Sequence, residues 1–477
     1  IDVEGLVNTV KEYNAAVQTD VTYNPTIKDG RGTVGLAVNK TNWAEIIDTP
    51  PYLGWAVTTG ISFTFGGVKI NTRGQVVPTA QDPIPGLYAA GEMVGGLFYY
   101  NYPGGSGLSA GMVFGRLAGI SAAHHLLEAY PDADVVLLEM EATLAHHTTG
   151  RSAALLLENL GTPSARALCS ASVLFLREPP GDLVDAPLLA HRPVLHVATR
   201  EQSDQVDQML DEGRSATTPT IEVDLDEALR LFPPLRRERL HRTIVEPDSA
   251  DIDVGALHQA FVRGFRRAGG RIATSTRVDA ARPDGDGWRL ETTDGDLGAD
   301  LVVNAAGAWG DVVALGAGVE PVGLQPRRRT AFMVNGPGLE TTGWAFTEGV
   351  DEGWYIKDDG PQMFCSLAEE NPSEPCDAKP EELDVALAID RINEATTLGI
   401  RSVNSAWTGL RTFSPDESMV IGPDPEHPTF VWCVGQGGSG IQTSPGAGRL
   451  TAELALGGEP SAVFAGLVLD ELAPGRF

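Results

Sequence analysis

The 477-residue sequence predicts an α/β protein that combines a Rossmann-like, dinucleotide-binding domain with a domain built on an antiparallel sheet. Residues 135–139, VVLLE, are predicted to form a short buried strand that ends in a carboxylate. Residues 302–309, VVNAAGAW, form a second predicted strand that runs into small residues. Residues 435–442, GQGGSGIQ, form a glycine-rich loop before a helix. Strands of this kind with small-residue turns at their ends are typical of dinucleotide-binding folds.

The remaining elements follow from hydrophobic periodicity. An antiparallel stretch is predicted over 326–368, where WYIKDDGPQMFCSL forms a hairpin, and FVWCVG forms a closing strand. Further strands are predicted at 271–280, 287–293 and 300–304. Helices are predicted at 3–16, 164–176, 202–212, 225–231, 254–268, 380–397 and 443–456.

Composition excludes several classes of function. The net charge of -29 disfavours nucleic acid or an anionic membrane as a partner, because both repel an acidic surface. No run of 18 apolar residues occurs, so no membrane span is predicted. The four cysteines are scattered, which predicts neither a disulfide framework nor a metal site and favours a reducing, cytoplasmic location. They are Cys169, Cys365, Cys376 and Cys433.

The three segments of the dinucleotide-binding part together predict FAD as the cofactor. Glu139 ends a strand, where a carboxylate accepts hydrogen bonds from ribose hydroxyls. Ala305, Ala306 and Gly307 leave room for a cofactor to pass close to the backbone. The N–H groups of the 435–442 loop and the helix after it suit the electron-rich edge of a flavin. Taken alone, each has an ordinary alternative: a solvated glutamate, a tight turn and a surface loop.

Residues of about 120–477 resemble the D-amino-acid oxidase superfamily of FAD-dependent oxidoreductases, most closely its D-arginine dehydrogenase-like branch. The sequence motifs that carry the resemblance occur in the same order as in the family. They are HTTGRSAALL (147–156), PDSADIDVGALHQAF (247–261), GLQPRRRTAF (323–332), WYIKDDG (354–360) and WTGLRTF (407–413).

The resemblance implies a set of site residues. Arg411 and Tyr355 would hold a substrate carboxylate, with Arg328 nearby; a guanidinium binds a carboxylate through two parallel hydrogen bonds. Val278 would meet the adenine side of FAD. The residues that would line the flavin and the pyrophosphate are Thr148, Thr149, Gly150, Arg151, Ser152, Gly437, Gly438, Ser439, Gly440, Ile441 and Gln442.

The implied reaction is oxidation of the Cα–N bond of an amino acid by hydride transfer to flavin N5. The cationic-substrate branch lines its pocket with polar and acidic residues, whereas this chain has Leu155, Leu160 and Val194 at the aligned positions. A substrate guanidinium would find no carboxylate there. We therefore expect a neutral or apolar D-amino acid, or a secondary amine. The electron acceptor stays open.

Residues 1 to about 119 resemble a different flavoprotein family. The words PPYLGWAVTTGISFTFGGVKINTRGQVV, IPGLYAAGEMVGG and FYYNYPGGSGLSAG are similar to the C-terminal third of fumarate reductase and succinate dehydrogenase flavoproteins, most closely the tricarballylate dehydrogenase branch. The resemblance implies that Glu92 binds the ribityl chain and that Ser106 and Leu108 lie at the flavin pyrimidine. Oxidoreduction of a carboxylate C–C bond is therefore an alternative function.

Neither part carries its complete glycine fingerprint. Gly119 stands about 20 residues before Glu139, as the third glycine should, but Phe114 and Arg116 then occupy the first two positions. Both side chains are bulky where the backbone must approach a pyrophosphate. We therefore expect the first strand and the fingerprint of the second flavoprotein to be missing and FAD to bind weakly. A fusion or truncated chain, or a non-catalytic remnant, is the third alternative.

Two domains are expected, 1–119 and 120–477. In the second, about 120–200, 250–320 and 405–477 would hold FAD, and about 201–249 and 321–404 would form the substrate part.

Overall fold

The computed structural model describes residues 3–23, 29–48, 117–144, 151–184, 186–214, 218–338 and 341–477. The chain divides into two compact units, residues 1–64 and 65–477.

The first unit begins with helix α1, Val3–Ala16. After it, Val17 forms an antiparallel bridge with Thr33. The guanidinium of Arg31 donates hydrogen bonds to the backbone oxygens of Ala44 and Val21 at 2.8 and 3.0 Å. This arginine therefore links the chain at Val21 to the chain at Ala44, whose N–H donates to the Arg31 oxygen at 2.8 Å.

The second unit alternates helices, strands and short 3-10 turns. Its helices are α2 (Leu117–Ala129), α3 (Pro163–Arg177), α4 (Ser203–Gly213), α5 (Leu225–Leu231), α6 (Val254–Arg267), α7 (Gly310–Ala317), α8 (Glu382–Ala395) and α9 (Ser444–Ala455). Its 3-10 turns are Arg200–Gln202, Arg237–Arg239, Gly307–Trp309, Ala462–Phe464, Leu469–Glu471 and Pro474–Arg476.

The strands of the second unit fall into five sheets. They are β1 (Val136–Leu138), β2 (Leu155–Leu156), β3 (Leu189–His191), β4 (Val194–Ala198), β5 (Ile221–Val223), β6 (Arg242–Glu246), β7 (Ala250–Ile252), β8 (Arg271–Ala273), β9 (Val278–Asp284), β10 (Gly287–Thr292), β11 (Leu297–Ala299), β12 (Val302–Asn304), β13 (Gln325–Asn335), β14 (Phe346–Gly349), β15 (Tyr355–Asp359), β16 (Gln362–Ser366), β17 (Ser405–Phe413), β18 (Val420–Pro423) and β19 (Phe430–Val434).

Side-chain caps begin several of these helices where the sequence offers an oxygen. Asp224 accepts a hydrogen bond from the backbone N–H of Glu227 at the start of α5, and Asp253 accepts one from Ala256 at the start of α6. Thr162 caps α3, which has proline in its first turn. Each cap satisfies an N–H group that has no partner within the helix.

Two parallel strand pairs form the dinucleotide-binding part. β1 pairs with β8, and β12 pairs with β19, which also pairs antiparallel with β18. Among the described residues no strand joins β1 to β12. Helix α2 packs against α9 and α6, so both pairs lie beside a helical layer. This is the α/β arrangement that the sequence predicts.

The second part is an eight-stranded mixed sheet in the order β17-β13-β16-β15-β14-β4-β6-β5. Paired residues share a face of a sheet. The register therefore places Arg411, Arg329, Tyr355, Glu348 and His196 on one face. The opposite face packs on an apolar core that includes residues of α5 and α8.

Candidate active site

A cleft of about 1210 Å³, counting the space that opens to solvent, lies where the two parts of the second unit meet. Its walls come from the start of α2, the ends of β1 and β12, strands β13, β15 and β17, and the glycine loop after β19. The lining residues are Leu117, Ala118, Gly119, Glu139, Arg151, Ser152, Ala153, Ala305, Gly307, Ala308, Trp309, Arg329, Tyr355, Cys376, Ala378, Gly409, Leu410, Arg411, Thr412, Gln436, Gly437, Gly438, Gly440 and Ile441.

The glycine loop requires glycine at two positions. Gly437 has φ +52°, and a Cβ on it would lie 2.6 Å from the ring of Phe413. A Cβ on Gly438 would lie 3.0 Å from a guanidinium nitrogen of Arg411. The N–H of Gly437 donates to the Thr412 oxygen at 2.9 Å and ties the loop to β17. Glycine is therefore what allows the loop to lie directly against Arg411.

The turn after β12 also depends on small residues. Ala305 and Gly307 line the cleft, and Gly307 has φ +53°. A Cβ on Gly119 would lie 3.0 Å from the Cβ of Ala305, so a glycine lets α2 approach this turn. The buried Asn304, which the sequence did not single out, donates to the Gly310 oxygen at 2.9 Å and accepts from the Ala306 N–H at 3.2 Å.

Glu139 lies just after β1 and lines the cleft. Its carboxylate accepts a hydrogen bond from the N–H of Glu141 at 3.0 Å. Its backbone bonds to Ala273 and Thr276 hold the end of β1 beside the chain that follows β8. The predicted carboxylate therefore stands at a strand end that faces the same space as the two glycine turns.

Arg411 lines the cleft beside the glycine loop. It projects from β17 next to Gly438, and it forms no hydrogen bond or ion pair with another described residue. Burial lowers the pKa of Arg411, and the neighbouring charge of Arg329 lowers it further. A guanidinium nevertheless stays protonated in proteins. Glu370 and Glu352 act on this charge without forming an ion pair with it. The cleft therefore contains a half-buried guanidinium that no described carboxylate contacts directly.

Tyr355 shares the cleft with Arg411. It is only 4% exposed, and its ring lies between Phe346 and Phe364 with centroid distances of 5.2 and 6.1 Å. The proximity of the phenol affects the pKa of Arg411. The ring packing fixes the orientation of the Tyr355 side chain in the cleft.

The register of β13 distinguishes three consecutive arginines. Arg328 lies on the face opposite to Arg411, does not line the cleft, and forms an ion pair with Glu381 at 3.2 Å. Arg329 lines the cleft, with a hydrogen bond to the Glu369 oxygen at 3.0 Å. The structure therefore brings Arg329, and not Arg328, near Arg411.

Arg151 and Ser152 line the cleft opposite the glycine loop. Arg151 is fully engaged with the protein: it forms an ion pair with Asp377 at 2.6 Å and donates to the Thr408 oxygen at 2.5 Å. The hydrogen bonds from Lys379 and then from Arg151 are the largest causes that lower the pKa of Asp377. The pair closes one wall of the cleft.

Several predicted residues do not line the cleft. Val278 begins β9, and Ala306 forms the inner part of its turn. Ser439 and Gln442 are buried behind the glycine loop, where Gln442 exchanges two hydrogen bonds with the backbone of Leu157. Other predicted residues fall outside the part of the chain that the structure describes. They are Glu92, Ser106, Leu108, Thr148, Thr149 and Gly150.

A buried ionic group lies farther along the same sheet face. His196, 3% exposed, contacts Glu246 through Nε2 at 3.1 Å and Glu348 through Nδ1 at 3.0 Å. Burial alone lowers the pKa of His196, but the hydrogen bonds to the two carboxylates outweigh it and raise the pKa to about 10. No sequence pattern indicates this triad, because its members come from three strands that are distant in sequence.

A profile of the family described as FAD dependent oxidoreductase matches residues 115–454, and one described as an FAD binding domain matches residues 1–108. The chain belongs to the FAD-dependent oxidoreductase family. A glycine oxidase from Geobacillus kaustophilus is 26% identical over 297 residues, which cover 61% of this chain and 75% of that protein. A probable fumarate reductase from Shewanella frigidimarina is 39% identical over 127 residues. These are 26% of this FAD-dependent oxidoreductase and only 19% of that relative's length.

Solved structures share the fold of this FAD-dependent oxidoreductase. The Geobacillus kaustophilus glycine oxidase has a TM-score of 0.67 at 21% identity, covering 76% of this chain and 97% of that chain. An L-proline dehydrogenase from P. horikoshii has a TM-score of 0.67 at 17% identity and covers 76% of this chain and 96% of that one. The predicted α/β fold class is confirmed.

FAD is the cofactor of the family, and the described residues fit it in part. A carboxylate at the end of β1, a small-residue turn at the end of β12 and a glycine loop face one cleft. These are the groups that a ribose, a pyrophosphate and a flavin edge require. Among the described residues, no helix is long and apolar enough to cross a membrane.

Proposed function

We propose that this chain oxidises the Cα–N bond of a neutral or apolar D-amino acid, or of a secondary amine, and passes the hydride to FAD. The observation that carries the proposal is Arg411. The chain has 64 acidic and 35 basic residues, yet this half-buried guanidinium has no described carboxylate in ion-pair contact, and its partial desolvation is a cost. A substrate carboxylate would remove that cost.

Arg411 would bind the carboxylate through two charge-assisted hydrogen bonds, and the phenol of Tyr355 would add a third donor. Gly438 supports this assignment because its missing Cβ leaves the guanidinium beside the glycine loop. Arg329 adds positive potential, although its own donors are held by Glu369 and Glu370. The substrate would thus be fixed at one end, with its α-carbon directed to the cleft.

The apolar surroundings support a neutral side chain. Leu155, Leu160 and Val194 do not line the cleft themselves, but they pack in one cluster with Tyr355, which does. The carboxylates that share the face are already engaged by His196. A cationic substrate side chain placed against this apolar cluster would therefore lose its hydration at a cost in free energy.

FAD would supply the acceptor for the two electrons, while the substrate nitrogen loses a proton and the resulting imine is hydrolysed to a 2-oxo acid. The protein's residues orient the acid and exclude water. No described side chain is assigned as a base, so the amine would react in its neutral form. The D configuration rests on the superfamily resemblance.

The test is to mix the FAD-loaded chain with each of a panel of substrates under anaerobic conditions. Reduction of the flavin is measured as loss of its visible absorption band. We expect D-leucine or a secondary amine to reduce the flavin faster than D-arginine, and L-leucine to be slow. A clear D-arginine preference would remove the neutral-substrate proposal. An FAD-loaded protein that no amine reduces would contradict the function itself.

The same experiment separates the alternatives. Reduction by succinate or tricarballylate would favour the function suggested by the fumarate reductase relatives, of which the chain spans about a fifth. Failure to retain any FAD would favour a non-catalytic remnant.

We also propose that separate segments bind the cofactor and the substrate, as expected from the sequence. FAD would be held by about 120–200, 250–320 and 405–477. The substrate part would be about 201–249 and 321–404, which contribute the eight-stranded sheet except β4 and β17. Substitutions in the two parts should then separate: the first should change FAD affinity, and the second should change KM.

A further inference from the structure

We propose that the last turns of α2 bind a divalent transition-metal ion, with Zn²⁺ as the test ion, through His124, His125 and Glu128. None of the three lines the cleft, so the proposal does not depend on the proposed oxidase activity. Their spacing places the glutamate four residues after one histidine and three after the other. Side chains at these spacings meet on the surface of a helix.

The donor atoms are already close together. Nε2 of His124 lies 3.5 Å from Oε1 of Glu128, and Nδ1 of His125 lies 2.7 Å from Oε2. All three donor atoms lie within 4.8 Å of one another. In a tetrahedral zinc site with bonds of about 2.0–2.1 Å, ligand atoms are about 3.4 Å apart. Small side-chain rotations would therefore suffice to coordinate one ion.

The donor set indicates the class of metal. Two imidazole nitrogens and one carboxylate oxygen suit Zn²⁺, Cu²⁺ or Ni²⁺, whereas Ca²⁺ and Mg²⁺ prefer an all-oxygen set. The side chain of His125 is 15% exposed and that of Glu128 is 55% exposed. Water can therefore reach the remaining coordination position.

The packing beneath the site fixes the imidazoles before an ion arrives. The ring of Phe261 lies 5.8 Å from that of His124 and 6.1 Å from that of His125. Gly264 leaves the space for the His124 ring, because a Cβ there would lie 2.5 Å from its Cε1. Preorganised donors lower the entropy cost of binding.

The electrostatic surroundings also favour a cation. The site lies at the carboxyl end of α2, where the helix dipole is negative, and the whole chain carries a net charge of -29. Arg449 is the positive group near Glu128, but its guanidinium is paired with Glu453 at 2.8 Å. The spacing of the cysteines, from which no metal site was predicted, does not bear on this site, because none of its ligands is a thiolate.

The experiment is titration of the metal-free chain with Zn²⁺ against a chromophoric chelator, in a Cys376→Ser background that removes the exposed thiol as a competitor. We expect one zinc ion per chain at this site. Both His125→Ala and Glu128→Gln should weaken it by about 10- to 100-fold. Both positions reach solvent, so circular dichroism should show native helix in each variant.

His191→Ala is the matched control, because His191 is exposed and contacts only the Pro247 oxygen among described partners. It should bind zinc as the parent does. Unchanged affinity in both site variants, or an equal loss in His191→Ala, would overturn the proposal by placing the zinc elsewhere. Absence of zinc binding in the parent would overturn it as well.

Discussion

At the scale of single residues, the arginines around the cleft differ in what neutralises them. Arg151 is paired with Asp377, and Arg329 is paired with Glu370. Arg411 is half-buried beside Gly438, and its side chain has no hydrogen bond or ion pair to a described residue. The first two therefore build the walls, and the third is available to a ligand anion.

Replacing Arg411 by alanine should lower kcat/KM by about 100-fold or more, because two charge-assisted hydrogen bonds of about 1.5–3 kcal/mol each are lost. The Arg411→Lys variant should retain only part of the wild-type kcat/KM, since an ammonium group cannot form the two parallel hydrogen bonds of a guanidinium. Steady-state dye reduction measures this. The control is Arg327→Gln; Arg327 pairs with Arg411 in the sheet but is held by Glu370 and Glu417. An equal effect in the control would refute the assignment.

Tyr355→Phe should raise KM by about 3- to 10-fold with little change in kcat, because one hydrogen bond to the carboxylate, worth about 0.5–1.5 kcal/mol, is lost. The aromatic stack with Phe346 and Phe364 remains, so thermal stability should be unchanged. Kinetics and a melting curve on the same sample check both statements. A fall in kcat at constant KM would mean that the phenol acts in another way.

Sequence resemblance singled out Arg411 and Tyr355, which the structure brings together, but it did not distinguish Arg328 from Arg329. Three arginines in a row carry no information on which one faces the cleft. The pairing of β13 with β17 decides it. His196 was missed for a similar reason: its chemistry exists only after distant strands have paired.

At the scale of elements, the loop after β19 shows how backbone shape serves the site. Gly437 combines a positive φ with contact to the Phe413 ring, and Gly438 lies against Arg411. A periodic sequence pattern is enough to predict the helix that follows. It does not reveal which loop glycines are sterically required.

Gly437→Ala should destabilise the chain by about 1–3 kcal/mol, because the methyl meets the Phe413 ring and the residue keeps a left-handed backbone. It should also weaken FAD binding. Gly466→Ala is the control, since a Cβ there meets nothing within 4 Å. Urea unfolding and FAD titration give the two readouts; a harmless Gly437→Ala would show that the loop relaxes freely.

The triad that joins β4, β6 and β14 should make stability depend on alkaline pH. The pKa of His196 is about 10 in the fold and about 6.5 when unfolded. Protonation therefore stabilises the fold fully below about pH 6.5, and this contribution is lost as pH rises through about 10. Urea unfolding of wild type and His196→Gln at about pH 7 and about pH 10 tests it. Parallel pH dependence in both proteins would contradict the role of His196.

Element positions were predictable where periodicity is strong. The predicted helices 225–231 and 254–268 correspond to α5 and α6 almost residue for residue. Strand β4 was not singled out, because all five of its residues are buried and no alternation marks it. Burial on both faces is a property of the assembled sheet.

At the scale of the whole molecule, two parallel pairs, β1 with β8 and β12 with β19, face one cleft without a described strand between them. Gly119 occupies the close helix contact that a third fingerprint glycine provides. Phe114 and Arg116, at the first two positions, lie outside the described residues. The sequence was thus sufficient to predict FAD as the cofactor, but not to predict the affinity for FAD.

We predict that the purified chain retains FAD substoichiometrically, because the sequence register set by Gly119 and Glu139 has Phe114 and Arg116 at the first two glycine positions of the fingerprint. A Phe114→Gly, Arg116→Gly double variant should bind FAD more tightly. Absorbance of the protein after gel filtration measures retention. Stoichiometric FAD in the unmodified chain would mean that another segment provides the phosphate contacts.

The most direct test of the central claim is the effect of an unreactive carboxylate, such as benzoate, on the visible flavin spectrum at saturating FAD. If Arg411 holds an organic acid beside the flavin, benzoate should produce a saturable difference spectrum in the wild type. The Arg411→Ala variant, at equal FAD content, should show none. An undiminished signal in that variant would contradict the account.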